Sequence, residues 1–148
     1  MLIANVRDIF NFQSLSVIKI KIGNVAVSEI RDMSWMFNLN YCLESLDLGD
    51  NFNTSQVTNM QAMFASLSEL ETLRLGNNFN TSNVEDMSSM FEGLSKLKQL
   101  DLGDKFDTSN VVNMSSVFAG MTSLESLDLE NLFNTSKVIY ICQLYLLI

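Results

Sequence analysis

The sequence predicts an α/β solenoid, in which a repeat of about 27 residues supplies one short parallel strand and one short helix. Near-copies of the phrase FNTSNVEDMSSMF begin at evenly spaced phenylalanines, Phe52, Phe79, Phe106 and Phe133. In each repeat this phrase spaces methionine and phenylalanine as one helix face does. The half of the repeat that follows the phrase alternates leucine with other residues, as a half-buried strand does. The prediction rests on these three observations.

The length and composition indicate a single domain. With 148 residues, of which 47% are apolar, the chain can bury a sizeable core. The repeat divides it into a degenerate first unit (1–14), regular repeats (15–136) and an aberrant apolar tail of a broken-off repeat (137–148). We therefore expect one solenoid over residues 1–148, with short strands on one face and short helices on the other.

The strand half of each unit reads L-x-x-L-x-L, and this pattern stands at 43–48, 70–75, 97–102 and 124–129. The final alternation suits a short strand with one buried face. The stretch from Leu70 to Asn78 spells L-x-x-L-x-L-x-x-N, which is typical of leucine-rich repeats. The related pattern L-x-x-I-x-I at 15–20 predicts that Lys19 stands next to Asp47 in the stacked sheet.

The other half of each unit predicts a helix of about two turns. Its apolar residues are spaced by three, three, one and three, as in Val84, Met87, Met90, Phe91 and Leu94. An oxygen-bearing side chain stands before the first methionine of each stripe and is suited to cap the first amides of a helix. These predicted caps are Asp32, Asn59, Asp86 and Asn113. The methionine and phenylalanine side chains are predicted to be core.

The loop GDNFNTS joins strand to helix, and Phe52 is its one large apolar side chain. We expect Phe52 and its equivalents to fill the core, while Asn53, Thr54 and Ser55 bond to nearby backbone and fix the turn. The alternative is a calcium site, since oxygen ligands would stack across neighbouring turns. Its ligands would be Asp50, Asn53, Asp104 and Asp107.

The candidate binding residues form columns, because stacked strands bring equivalent positions about 4.8 Å apart. One column is charged (Lys19, Asp47, Arg74, Asp101, Asp128), and its last two members and Glu130 make the C-terminal end acidic. The column beside it is small and polar. Solenoids bind proteins through such extended faces, although solvated polar columns are the usual alternative. The predicted ligand-contacting residues are Ser45, Asp47, Thr72, Arg74, Gln99, Asp101, Ser126, Asp128 and Glu130.

Catalysis and several classes of partner are disfavoured by the composition. The net charge of -8 repels nucleic acid and anionic membrane surfaces. The chain has no histidine and no phosphate-binding glycine loop, and the pair Ser95-Lys96 lacks any other support as a catalytic pair. We therefore expect no enzyme activity, no cofactor and no metal site. The two cysteines, Cys42 and Cys142, form no C-x-x-C pair, and the apolar tail is too short to span a bilayer.

The phrase F-[ND]-T-S-x-V-x-[ND]-M-x-x-[MV]-F, followed by L-x-x-L-x-L, runs from Phe52 to Ser136. It resembles the BspA-like leucine-rich repeats of bacterial surface proteins, including mycoplasma-type surface lipoproteins built from a domain of unknown function. The resemblance implies a solenoid displayed on the cell surface or secreted, associated with adhesion and without enzyme activity. The chain as given shows neither a signal peptide nor the lipid-attachment cysteine usual in that family.

Three functions follow as hypotheses. The first is a non-enzymatic module that binds a protein ligand, such as a host matrix protein or another cell surface, through the exposed sheet face. The second is a structural spacer of a larger surface protein, and the third is an intracellular leucine-rich-repeat scaffold. The edge at 15–20 and the apolar C-terminal segment carry no polar capping repeat, so end-to-end self-association is a further expectation.

Overall fold

The computed structural model describes residues 19–22, 27–129 and 133–140. This part of the chain winds into successive coils that stack on one another, and parallel bridges join residues one period apart, such as Asn59 and Asp86. We number the coils by their described residues in chain order: coil 1 is 19–22 and 27–40, coil 2 is 41–67, coil 3 is 68–94, coil 4 is 95–121 and coil 5 is 122–129 and 133–140. Residues 1–18 and 141–148, which hold the whole degenerate unit and most of the tail, lie outside the described residues.

One face of the stack is a parallel sheet of three short strands, in the order β1-β2-β3. These strands are β1 (Lys19–Lys21), β2 (Ser45–Asp47) and β3 (Thr72–Arg74). In coils 4 and 5 the same position is reduced to a single bridge between Gln99 and Ser126. The strand residues of this sheet, with their equivalents in coils 4 and 5, are called the strand face below.

The predicted place of Lys19 is wrong. Lys19 pairs with Ser45, and it is Lys21 that pairs with Asp47. The spacing along the chain from β1 to its partner in β2 is therefore one residue shorter than the repeat. The alignment of the leucine pattern predicted a spacing one residue longer than the repeat. Since side chains alternate along a strand, both alignments put a lysine on the same face, and only the pairing distinguishes them.

A second parallel ladder runs along the opposite part of each coil. It joins the residues before the first methionines of coils 1 to 4, and its last bridge joins coil 4 to Tyr140; the members in order are Asp32, Asn59, Asp86, Asn113 and Tyr140. Each bridge is reinforced by a neighbouring backbone bond, such as the one from the Glu85 amide to the Thr58 carbonyl oxygen at 2.8 Å. We call this ladder the bridge face.

The predicted helices are wrong. Among the described residues there is no helix, so the α/β architecture with helices on one face gives way to a solenoid of strands and turns. Every second amide of the methionine stripe donates to the next coil instead of to its own. In coil 2, Met60 donates to the Asp86 carbonyl oxygen at 2.9 Å and Phe64 to that of Met90 at 3.0 Å. A helix would need those same amides for bonds four residues back.

The backbone φ angles also exclude a helix in the methionine stripe. Each stripe contains two residues in the left-handed region four positions apart, which no α-helix tolerates. In coil 2 they are Ala62 (φ 51°) and Ser66 (φ 64°), and in coil 3 they are Ser89 (φ 57°) and Gly93 (φ 75°). Each Met-x-x-Met segment closes as a turn, with the Met63 amide donating to its own coil at Met60. Apolar side chains three residues apart still face inward, so the pattern of a helix stripe is kept without a helix.

The core was predicted correctly. The methionines and phenylalanines of the stripe are buried together with the strand-half leucines of coils 2 to 4, except Leu73, which like the leucines of coil 5 is only partly buried. Phe52, Phe79 and Phe106 enter the same cluster from the loop. One phenylalanine per coil stacks on its equivalent, with nearly parallel rings and centroids 5.6 to 5.8 Å apart. This ring stack is made of Phe37, Phe64, Phe91 and Phe118.

The predicted capping residues bond to backbone as expected, but within turns. Asn59 Oδ1 accepts from the Gln61 amide at 3.0 Å, and Asp86 Oδ1 accepts from the Ser88 amide at 2.8 Å. Each is an Asx turn, in which the side chain bonds to the amide two residues on. The amide is therefore satisfied locally and the chain leaves the extended bridge into the first turn of the stripe.

Candidate binding surface

The small polar column exists in the first half of the strand face. Parallel pairing places Thr72 beside Ser45, and the Thr72 hydroxyl donates to Ser45 Oγ at 2.8 Å. Gln99 and Ser126 are bridged in the same way through their backbones. Thr72 and Gln99, however, are not paired, so the column is interrupted between coils 3 and 4.

The charged column is organised by Arg74, which contacts two carboxylates of coil 2. One guanidinium nitrogen donates to Asp47 Oδ1 at 2.9 Å, and another donates to Asp50 Oδ1 at 2.5 Å. Asp47 also accepts from the Gly49 amide at 2.9 Å and lies 3.8 Å from Lys21 Nζ. The predicted alternation of charge therefore becomes a small ion-pair cluster, in which Arg74 is directed at its own chain.

This cluster shifts the ionisation of its members. The hydrogen bond from Arg74 lowers the pKa of Asp47 below its ordinary 3.8, and the bonds to Asp47 and then Asp50 raise the pKa of Arg74. The side chain of Arg74 is 49% exposed, so water screens these pairs and their effect on stability is small. The cluster orients charges on the surface more than it stabilises the fold.

The C-terminal half of the strand face is acidic and exposed. Asp101 and Asp128 are both exposed, and Asp101 Oδ1 accepts from the Gly103 amide at 2.9 Å. Glu130, the last predicted member of the set, lies outside the described residues. Within the described part of the chain, the face is thus mixed in charge at coils 2 and 3 and acidic at coils 4 and 5.

An opening separates coil 3 from coil 4 on this face. Two cavities of about 350 and 390 Å³ lie along residues 71–79 of one coil and 98–105 of the next, with Leu73 and Asp101 lining both, and the second cavity also reaches Glu125 of coil 5. The floor includes Leu75, Phe79 and Leu102. The strand ladder stops at this place, whereas the bridge face continues unbroken through both coils.

Asp50 was missed as a member of this surface, because the sequence pattern placed it in the turn. The repeat itself holds the signal that would have found it: Arg74 is the one cation of its column in 45–129, and Asp50 lies in the turn that follows the neighbouring strand. Another missed pair is Lys96 with Glu69, whose Nζ and Oε2 lie 2.6 Å apart at the edge of the opening. Hydrogen bonding to Glu69 raises the pKa of Lys96.

The Asx-rich turns bond to backbone, as the turn-fixing interpretation predicts. Asn53 Oδ1 accepts from the Ser55 amide at 3.0 Å, and Asp107 Oδ1 accepts from the Ser109 amide at 2.8 Å. The buried threonine works differently from the expectation, since Thr54 Oγ1 donates to the Asn80 carbonyl oxygen of the next coil at 2.8 Å. Within the described residues no cluster of three or more acidic, cysteine or histidine side chains is placed to hold a metal ion.

The C-terminal end exposes large apolar side chains. Ile139 is 72% exposed and Tyr140 is 59% exposed, at the end of the bridge face. The other predicted association edge, at 15–20, lies mostly outside the described residues. End-to-end self-association therefore stays a prediction. No helix that could cross a membrane occurs in the described ranges.

Comparison with known sequences places this repeat. Residues 4–99 and again 70–146 match the sequence model of a family described as "Mycoplasma protein of unknown function, DUF285". The chain belongs to this family. The two matches overlap by one coil and together run through almost the whole DUF285 chain, as expected when one model is laid on a repeat. The mycoplasma-type part of the resemblance is thereby confirmed, while the relation to BspA-like leucine-rich repeats stays a prediction.

Two further comparisons found no relative of this chain. A search of curated proteins found no match, and a search of solved structures found none.

Proposed function

We propose that this chain is a non-enzymatic module that binds a protein partner through the strand face. The observation that supports the proposal is a contrast between two sets of positions. The core positions repeat the same residues from coil to coil, such as the phenylalanines of the ring stack. The exposed strand positions change from coil to coil, from Asp47 to Arg74 to Asp101 in one column.

Physical reasons connect that contrast with binding. A repeated core is what stacking requires, because each coil contacts only its neighbours. Varied polar side chains on a flat face add little to stacking, since exposed ion pairs contribute about 0 to 1 kcal/mol. Variation held on one rigid face is what a specific interface uses, because specificity depends on the arrangement of charges and hydrogen bonds.

The absence of histidine from the sequence and the engagement of Asp47 and Asp86 in hydrogen bonds to their own chain support a non-catalytic role. Display on the cell surface or secretion is part of the proposal and rests on the family resemblance. The net charge of -8 favours partners with basic surfaces over nucleic acid.

The test is a charge reversal on the strand face with a matched control on another face. The variant carries Asp101→Lys and Asp128→Lys, and the control carries Glu85→Lys and Glu92→Lys, which change the net charge equally at exposed positions. Binding to a panel of immobilised extracellular-matrix proteins and to host cells is measured for each, after circular dichroism has shown that each is folded. Loss in the first variant alone supports the proposal, and equal binding by both contradicts it.

A structural spacer is the second candidate, and the continuous stacking favours it. The ring stack joins coils 1 to 4, and the bridge face runs from coil 1 to coil 5 without a break. A spacer depends on length and rigidity alone. Deleting one whole repeat would then impair the function of the larger protein, whereas replacing the exposed residues of the strand face by serine would leave it unchanged.

A further inference from the structure

The opening between coils 3 and 4 interrupts a pattern of hydrogen bonds that coils 2 and 3 make in full. In coils 2 and 3, the Glu44 carbonyl oxygen accepts from the amides of Glu71 and Thr72, at 2.9 and 3.2 Å. The Leu48 amide donates to the Arg74 carbonyl oxygen at 3.0 Å. The equivalent stretches of coils 3 and 4 are 71–77 and 98–104. Between these two described stretches the structure shows no backbone hydrogen bond of this kind.

Both ends of the opening are nevertheless closed by contacts between the same two coils. At one end, the Ser95 hydroxyl donates to the Ser68 carbonyl oxygen at 3.1 Å, beside the ion pair of Lys96 with Glu69. At the other end, Lys105 Nζ donates to Asn78 Oδ1 at 2.8 Å. The opening is thus a slot bounded at both ends, and we call it the coil 3–4 slot.

Glycine packing gives an independent measure of the separation. A Cβ placed on Gly76 would lie 2.2 Å from the carbonyl oxygen of Gly49, so coils 2 and 3 are in direct backbone contact there. A Cβ placed on Gly103, the equivalent residue of coil 4, would meet no atom within 4 Å. The backbones of coils 3 and 4 are therefore further apart on the strand face, while the bridge face keeps them joined.

The walls of the slot carry the groups that recognise a strand. By its position, the outer edge of β3 offers the Leu75 amide and the Glu71 carbonyl oxygen, which are the equivalents of the bonded Leu48 and Glu44 groups. The inward Leu73 is only partly buried, although its equivalent Leu46 is 1% exposed. An open strand edge beside the partly exposed Leu73 fits a chain whose backbone completes the ladder and whose alternate side chains are apolar.

We propose that the coil 3–4 slot binds an extended peptide segment of a partner protein, which adds to β3 as a parallel strand. The segment presents apolar side chains at alternate positions to Leu73, Leu75 and Leu102. The slot walls at 71–77 span about 20 Å at the usual rise of a strand, enough for roughly six peptide residues. The inference rests on the proposed function, because the peptide belongs to the partner that the strand face binds.

The first experiment uses a synthetic peptide as the probe. Its sequence is LETLRLGNN, which copies 70–78 and already pairs in the required manner with coil 2. The control peptide carries proline in place of its threonine and its arginine, because proline removes the backbone donor. In NMR titrations we expect the Leu75 and Gln99 amides of the protein to shift, with affinity for the control at least about tenfold weaker.

The second experiment locks the slot. In a background with Cys42→Ser and Cys142→Ser, the pair Thr72→Cys with Gln99→Cys traps the molecule with the two walls closed on each other, because a disulfide forms only when the two Cα atoms come within about 7 Å. The matched control is Ser45→Cys with Thr72→Cys, whose side chains already touch across coils 2 and 3. Oxidation of the first pair should abolish probe binding and reduction should restore it, while the oxidised control should bind as the unmodified protein does.

Two results would overturn the inference: probe binding that survives the oxidised Thr72–Gln99 lock, or amide shifts confined to other parts of the molecule. Absence of binding at about 1 mM peptide would do the same. If the lock fails to form, the amide shifts decide alone. A natural partner that still binds the locked protein but not the Asp101→Lys, Asp128→Lys variant would refute the slot and leave the proposed function standing.

Discussion

Replacing Phe91 by alanine tests the ring stack, which holds neighbouring coils at a fixed separation. Phe91 is fully buried and lies between Phe64 and Phe118, with centroids 5.6 and 5.8 Å away and rings nearly parallel. Its ring also lies against that of Phe106, with centroids 6.2 Å apart. Each coil boundary beside coil 3 therefore depends on this one side chain.

The size of the effect follows from this packing. Removing a buried phenylalanine costs about 3 to 5 kcal/mol, and each aromatic pair adds about 0.5 to 1.5 kcal/mol beyond area burial. Because alanine cannot stack on any of the neighbouring rings, Phe91→Ala should reduce the free energy of unfolding by about 5 kcal/mol. Phe91→Leu keeps most of the apolar volume but has no ring to stack, so about 2 kcal/mol is expected.

Urea denaturation followed by far-UV circular dichroism measures the destabilisation, with the dependence on urea compared among variants to detect partial unfolding. Phe133→Ala is the matched control, because Phe133 is partly buried and its ring is tilted against that of Phe118 at 6.4 Å. It should cost roughly 1 to 2 kcal/mol. Equal destabilisation by Phe91→Ala and Phe133→Ala would refute the claim that the ring stack couples the coils.

Three further outcomes are expected. Gly76→Ala should destabilise far more than Gly103→Ala in thermal melts, since left-handed backbone costs either variant about 1 to 2 kcal/mol but only the former also clashes with the preceding coil. Arg74→Ala should lower stability slightly at neutral pH. Because Arg74 depresses the pKa of Asp47, that difference should vanish as pH falls through the depressed value, below the ordinary 3.8, in denaturation measured across pH. Thr81→Val should cost about 1 to 3 kcal/mol in urea denaturation, because the buried hydroxyl donates to the next coil at 2.8 Å and its acceptor would be left unsatisfied.

The turns and the core could be predicted from sequence because both depend on local chemistry. Asn53 accepts a hydrogen bond from the amide two residues later, as asparagine does in turns of this kind. Phe52 is the one large apolar side chain of its loop. The error in the methionine stripe has an equally physical cause. Residues such as Met60 and Met63 face inward at a three-residue spacing both in a helix and in a succession of turns, so apolar periodicity cannot separate the two.

The sequence does contain a signal for turns in the methionine stripe. In each of coils 2 to 4, the two left-handed positions lie four residues apart and both hold small residues, such as Ala62 and Ser66 in coil 2. The candidate surface could be predicted only in part for a related reason: the columns follow from the period, but the bonding of Arg74 to Asp50 and the slot depend on how coils sit against each other.

The period, the buried residues and the chemistry of the turns follow from the amino-acid sequence alone, because each depends on side chains within one repeat. The partners of the backbone amides, in contrast, depend on how the coils stack. The Met60 amide has a possible acceptor within its own coil and another in the next coil, and packing selects the second. Stacking of the coils likewise explains why turns replace the predicted helices and why Lys21 pairs with Asp47. It also explains why coils 3 and 4 lie apart on the strand face.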